Sequence, residues 1–263
     1  MINQTNVEAF RRDGYVVANQ LFSESEVKPY VDHYMKLRMA GSYPEDKPGV
    51  PMCRMVHMHR WDDKSLSFVI DQRLAACLRA LTSSEPYVVQ SMVYFKPPGA
   101  LGQAFHQDQY YLRARPGTCV AAWMALDPSD EETGCLQIVR GSQDLPVLCT
   151  EPADMSQSHT GTTVPIPDGM EIASLVMVPG DVVFFNGSVI HGSKPNLSEH
   201  RYRRALVGHY LTGCTEQVAA DYHPVLRMDG STIELQVSDK GGPCGVWVDD
   251  ANSPAVEMVE PTA

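Results

Sequence analysis

Apolar positions in the first third of the chain recur at helical spacing. Over residues 24–39, Val27, Tyr30, Val31, Tyr34 and Met35 fall on one stripe, which predicts an amphipathic helix. Ser23-Glu-Ser-Glu26 opens it with a capping-box pattern, and Thr5-Asn-Val-Glu8 has the same pattern before an earlier helix. Leu74, Cys77, Leu78 and Leu81 share one face of a third helix predicted over 72–81. Between the first two helices, residues 15–18 read as a short strand. Residues 40–66 mix Gly, Pro and both charge signs and read as an irregular loop.

After residue 85 the texture changes to short β-branched and aromatic runs. Segments 87–95, 119–126, 136–139, 172–178, 182–185 and 204–211 are predicted strands. Turn signals separate them, including Pro97-Pro-Gly99, Glu132-Thr-Gly134 and Pro179-Gly-Asp181. Many strands without helices between them point to a mainly β fold, an antiparallel sandwich or barrel with flanking N-terminal helices. Residues 151–168 are long and polar, as suits a loop over a site. Residues 213–253 show no pattern that assigns them.

At 263 residues the chain is long enough for one or two domains, and one is the economical reading. It divides into a helical N-terminal region (1–84), a β core (85–212) and a C-terminal extension (213–263). With 43% apolar and 20% charged residues it is neither disordered nor low-complexity. A net charge of −11 gives no electrostatic footprint for nucleic acid or an anionic membrane surface. The uncharged runs 86–95 and 116–126 are too short to span a bilayer, and residues 1–10 lack the form of a signal peptide. The 7 cysteines form an odd set without CxxC spacing, which argues against a disulfide framework and a zinc ribbon. They read as thiols in a reducing cytoplasm, so the sequon at Asn196 is expected to be incidental.

His106 and Asp108 stand two apart, and on a strand such residues point the same way and can grip one ion. Alone, the pair reads equally as a surface ion pair or a core histidine. His191 follows the apolar run 182–185 in FFNGSVIHGS, where a histidine can also be structural. Together, two histidines and one carboxylate would form the facial set of non-haem Fe(II) oxygenases, which leaves three coordination positions open. A 2-oxo diacid could chelate two of them, dioxygen could take the last, and a cation would be needed for the far carboxylate. Arg201, Arg203 and Arg204 lie just before or at the start of the strand 204–211, and alternation sets Arg203 opposite Arg204.

HQD, then FFNGSVIHGSKPN, then RRAL resembles the phytanoyl-CoA dioxygenase family of Fe(II)- and 2-oxoglutarate-dependent oxygenases. SMVYFKPPG (91–99), AWMAL (122–126) and GCLQIVRG (134–141) support the likeness, which covers about residues 85–212. The resemblance implies a double-stranded β-helix, that is, a cupin-like jelly roll. By position His106, Asp108 and His191 match the iron ligands, and Arg203 matches the partner of the distal 2-oxoglutarate carboxylate. Arg201 and Arg204 are lesser candidates for that role. Ser193, Trp123, Met92 and, more weakly, Gln90 match positions lining the cosubstrate pocket. The implied chemistry decarboxylates 2-oxoglutarate with O₂ and oxidises a small organic substrate, most simply by hydroxylation. Asp108 is a carboxylate, so the related halogenases, which have a small residue there, do not fit.

Two other classes use the same residues: a redox-neutral metal cupin such as an isomerase, and a non-catalytic small-molecule-binding jelly roll. For substrate recognition, the cluster Arg54, His57, His59, Arg60 and Trp61 reads either as an anion-recognising loop or as a solvated one. Tyr110 and Tyr111 read as pocket or packing residues. His209 reads as a core group or a support for a ligand. His33, His159, His200 and His223 read as surface residues.

Overall fold

The structure, a computed structural model, describes residues 2–41, 54–239, 242–248 and 255–260. The helical stripes form where the spacing predicts them: α1 (Gln4–Asp13), α2 (Glu24–Met39) and, after α3 (Asp63–Val69), α4 (Gln72–Thr82). The Ser23/Glu26 capping box is present, but α1 is capped by the Asn3/Asn6 pair and not by Thr5/Glu8. The segment read as irregular contains β2 (Arg54–Val56) and the start of α3, and its residues 42–53 lie outside the described residues.

The strands are β1 (Tyr15–Ala18), β3 (Pro86–Tyr94), β4 (Gln103–His106), β5 (Cys119–Ala125) and β6 (Leu136–Val139). They continue with β7 (Glu151–Pro152), β8 (Thr162–Thr163), β9 (Ile172–Ser174), β10 (Val182–Asn186), β11 (His191–Ser193) and β12 (Ala205–Thr212). The large sheet runs β1-β10-β5-β12-β3, with β2 on β3 and the C-terminal strands Val225–Leu226 and Thr232–Ile233 extending it. The small sheet runs β4-β11-β6-β9. These two sheets make the double-stranded β-helix.

Alternation along the large sheet divides the core. Val93, Ala122, Met124, Phe184 and Leu206 face outward and pack with Leu74, Leu78, Phe68 and Tyr34 of the helices. Met92, Trp123, Phe185 and Val207 face inward against Leu136, Ile138 and Ala173 of the small sheet. The helices thus cover one face of the large sheet and leave the space between the two sheets for a site.

The cysteine reading is corrected at one pair. Cys149 and Cys244 form a disulfide across 95 residues of chain. Cys77, Cys119 and Cys135 are buried free thiols, and Cys214 is exposed. The bond fastens the hairpin Cys244–Val248/Ala255–Val259 to the segment after β6. Two backbone bonds join the same places: Cys149 N–H donates to Gly245 O (2.8 Å) and Gly245 N–H donates to Val147 O (2.7 Å). Asn196 is fully buried, its amide donating to Lys96 O and Arg201 O, so the sequon is a structural asparagine.

Candidate metal and oxo-acid site

His106 ends β4, His191 begins β11, and the two are direct cross-strand partners with ring centroids 4.2 Å apart. That close approach explains Gly192: a Cβ there would come within 2.9 Å of Gln103 O and 3.2 Å of the Phe105 backbone. Each imidazole is oriented in the same way. His106 Nδ1–H donates to Ala104 O (2.9 Å) and His191 Nδ1–H donates to Val189 O (3.0 Å). A carbonyl can only accept, so both Nδ1 atoms carry the proton and both Nε2 lone pairs face the site.

Asp108 does not share the strand of His106. The chain turns at Gln107 and Asp108 opens the short helix α5 (Asp108–Leu112). The turn still delivers the carboxylate: Asp108 Oδ1 lies 3.7 Å from His106 Nε2 and 3.8 Å from His191 Nε2. The three ligand atoms lie within 4.8 Å of one another. The other oxygen, Oδ2, accepts from His209 Nε2 at 3.1 Å, which leaves Oδ1 to the centre. His209 is therefore a supporting group, one of the alternatives read from the sequence. Burial pushes the His106 imidazole down to about 3, with His191 beside it adding to the effect, so it stays neutral. Burial alone would raise Asp108, but the surrounding His191, His209 and His106 outweigh it and hold the carboxyl below its usual range.

The site opens into a cavity of about 550 Å³ that Met92, Trp123, Ser193 and Arg203 all line. Gln90 lies opposite His209 in the ladder and is not among the lining residues. Of the three arginines, Arg201 pairs with Asp130 and Glu132, and Arg204 makes a fork to Asp127 at 2.7 Å on both sides. Arg203 points the other way, as alternation requires. It is 5% exposed, its guanidinium lies 5.6 Å from the Trp123 ring, and its Nε has no hydrogen-bond partner among the described residues.

Two cavity residues escaped the sequence reading. Lys96 is 4% exposed, and its Nζ donates to Gly134 O (3.0 Å), Ser193 Oγ (3.1 Å) and Lys194 O. Burial pushes its ammonium down to about 6, and Arg203 pushes the same way. His159, read as a surface residue, lines the cavity; Ser158 Oγ and the 2.7 Å bond from its own Nδ1–H to Gly102 O pin its loop to the Gly102–Ala104 segment. Lone polar residues in loops of mixed texture carry no periodic signal, although the single Lys in the apolar run SMVYFKPPG was a clue.

The loop cluster divides. His57 and His59 lie over β3, with the backbone amides of the two donating to Ser91 O and Ser91 Oγ, and burial pushes their imidazoles down to about 4 and about 3. Arg60 donates to Asp221 O, and Trp61 is exposed. Tyr110 and Tyr111 are 43% and 42% exposed, with the Tyr111 ring set edge-on to His106 at 6.3 Å.

Two imidazoles and one carboxylate at one end of a double-stranded β-helix define the class: a jelly roll with a 2-His-1-carboxylate metal site. The particular family follows from comparison. The family model for phytanoyl-CoA dioxygenase (PhyH) matches residues 10–205, and the chain belongs to that family. It is 31% identical over 142 residues to phytanoyl-CoA dioxygenase 1 of Oryza sativa subsp. japonica, covering 54% of this chain and 50% of the rice protein. The chain thus spans about half the length of that relative, and only 55% and 50% of related rat and cattle proteins. To the ectoine dioxygenase of Stutzerimonas stutzeri (strain A1501) it is 29% identical over 216 residues, 73% of this chain and 71% of that one. EvdO2 of Micromonospora carbonacea var. aurantiaca, solved in complex with 2-oxoglutarate, shares the fold at a TM-score of 0.67 and 23% identity, over 85% of this chain and 96% of that one. No helix among the described residues is long and apolar enough to cross a membrane.

Proposed function

We propose that this chain is an Fe(II)- and 2-oxoglutarate-dependent dioxygenase that hydroxylates a small organic molecule. The observation that carries the reading is Arg203. A buried guanidinium lines the cavity of the His106/Asp108/His191 set, and among the described residues no carboxylate pairs with it. Buried charge without a counter-charge is costly, so the cavity is built for an anion. A diacid that chelates the metal through its oxo-acid end would offer its far carboxylate to Arg203.

The donor set fits a ferrous ion: two neutral imidazoles, one carboxylate and, among the described residues, no fourth ligand to close the site, as a structural zinc site would require. Bound there, iron and cosubstrate supply dioxygen activation, with 2-oxoglutarate decarboxylated to succinate and CO₂. The chain's own residues do the rest. Ala104 and Val189 fix the imidazole tautomers, His209 orients Asp108, and Trp123, Met92 and Phe185 exclude water. Ser193, held by Lys96, presents a hydroxyl on the cosubstrate side of the cavity. A redox-neutral cupin would have no use for a buried, unpaired Arg203 beside the metal set, and a passive binding module would have none for Asp108 held by His209.

The same proposal takes the 263 residues as one domain, with a small molecule and no nucleic acid as partner, while the Cys149–Cys244 disulfide speaks against the reducing cytoplasm expected from the cysteines. β1 from the N-terminal region and Val225–Leu226 from the C-terminal stretch joining one sheet supports the first part, and the charge of −11 the second. The test is 2-oxoglutarate turnover without added substrate. Slow succinate release that requires Fe(II) and vanishes in His191→Ala is expected. Release unaffected by His191→Ala, or none from protein shown to hold iron, contradicts the reading.

A further inference from the structure

The cationic lining does not stop at the metal and oxo-acid positions. Among the described residues lining the cavity, Asp108 is the sole carboxylate, while Arg38, Lys96 and Arg203 are basic, in a chain of net charge −11. Asp108 belongs to the metal, and Arg203 and Lys96 to the cosubstrate. Arg38 is left over. It comes from the last turn of α2, lies over the Phe95 ring at 5.0 Å, and has a buried Nη1 with no hydrogen-bond partner among the described residues.

A second arginine stands at the neighbouring position. β2 pairs with β3 so that Arg54 faces Tyr94, and cross-strand partners project to the same side of a sheet. Tyr94 lines the cavity. Arg54 is exposed, at the edge of the sheet next to the cavity. Arg38, over Phe95, and Lys96 thus line the cavity at neighbouring positions, and Arg54, not itself a lining residue, stands beside Tyr94 at its edge. Phe95, Pro97, Pro98 and Leu101 line the same cavity and are apolar. The volume of about 550 Å³ is within the range of small-molecule sites.

We propose that Arg38, assisted by Arg54, determines substrate class: the substrate is an organic anion whose carboxylate or phosphate is held by the Arg38 fork while its apolar body lies along the Pro97–Leu101 wall. A guanidinium held over an aromatic ring can offer its planar fork to an oxyanion with less loss of side-chain freedom than a free arginine. The inference rests on the oxygenase reading above, since that reading assigns Lys96 and Arg203 to the cosubstrate.

The test uses the full chain loaded with Fe(II) and 2-oxoglutarate under anaerobic conditions, with the visible band of that complex checked first. A matched series of phenylalkyl carboxylates, phenylalkyl phosphate monoesters and the neutral methyl esters of the carboxylates is then titrated. Binding is read by calorimetry and by perturbation of the band. The wild type is expected to bind one of the anion series at least about tenfold more tightly than the esters, the size of a charge-assisted pair. Whichever series binds tighter distinguishes carboxylate from phosphate. Arg38→Gln should abolish the preference with 2-oxoglutarate affinity retained, Arg38→Lys should keep part of it, and Arg54→Gln should reduce it less. Equal binding of anions and esters, no binding of either anion series, or a preference that survives Arg38→Gln overturns the inference. Absence of the band from the wild type overturns the oxygenase reading, and this inference with it.

Discussion

His106 and His191 solve the same problem with the same device. Each donates Nδ1–H to the carbonyl two residues earlier, so the strand that carries the ring also sets its tautomer. Asp108 needs an outside partner, and His209 supplies it through Oδ2. Supports of this kind are typically worth about tenfold to a hundredfold in metal affinity. His209→Ala is accordingly expected to weaken Fe(II) binding by about that factor in a metal titration, with His209→Gln recovering part of the loss. Lys96 gives a second prediction. Its pKa falls from the ordinary lysine value of 10.5 to about 6 in the folded chain, through burial first and Arg203 second. The unfolded chain then holds the extra proton between those values, so stability rises with pH across that window and the cost of Lys96 is greatest at its acid end. Lys96→Met should raise the melting temperature of the metal-free protein more at about pH 6 than at about pH 9, and should weaken 2-oxoglutarate binding. A gain independent of pH would contradict the buried-ammonium account.

At the scale of elements, the pairing of β4 with β11 makes the site, and the loop after β6 braces it. Gln107, fully buried between two metal ligands, accepts from Leu148 N–H (2.8 Å) and donates to Ser188 O (2.8 Å) and Pro146 O (3.2 Å). Leu148 adjoins Cys149, so the disulfide to Cys244 fastens the C-terminal hairpin to the segment that holds the HQD turn. A disulfide is typically worth about 2–4 kcal/mol of stability. Treatment with a dithiol, or Cys149→Ser, is therefore expected to lower the melting temperature by several degrees, whereas Cys214→Ser should not; equal effects would contradict the brace. These elements also show what the sequence makes legible. The stripes and caps of α2 and α4 are local, and so is the alternation that turns Arg203 inward and Arg204 outward. The turn at Gln107 is not local, because the side chain that shapes it bonds to residues some 40 and 80 positions away. Neither is the disulfide, whose partners are 95 residues apart and outside any spacing motif. The HQD, HGS and RRA blocks were readable because their resemblance to a family carries long-range information that periodicity does not.

For the molecule as a whole, the large sheet is the dividing wall. Its outer face is closed by the helices through Leu74, Leu78 and Phe68, and its inner face meets the small sheet around the metal set. Lys96 and Arg203 gather inside an acidic chain, and that contrast is the strongest sign that an anion completes the structure. The most direct test is spectroscopic and needs no substrate. Fe(II) and 2-oxoglutarate added to the protein without oxygen should give the visible charge-transfer band of a chelated 2-oxo acid, absent from His106→Ala and requiring more 2-oxoglutarate with Arg203→Ala. A protein that holds iron at His106, Asp108 and His191 yet shows no band with 2-oxoglutarate would contradict the account and leave a redox-neutral metal cupin in its place.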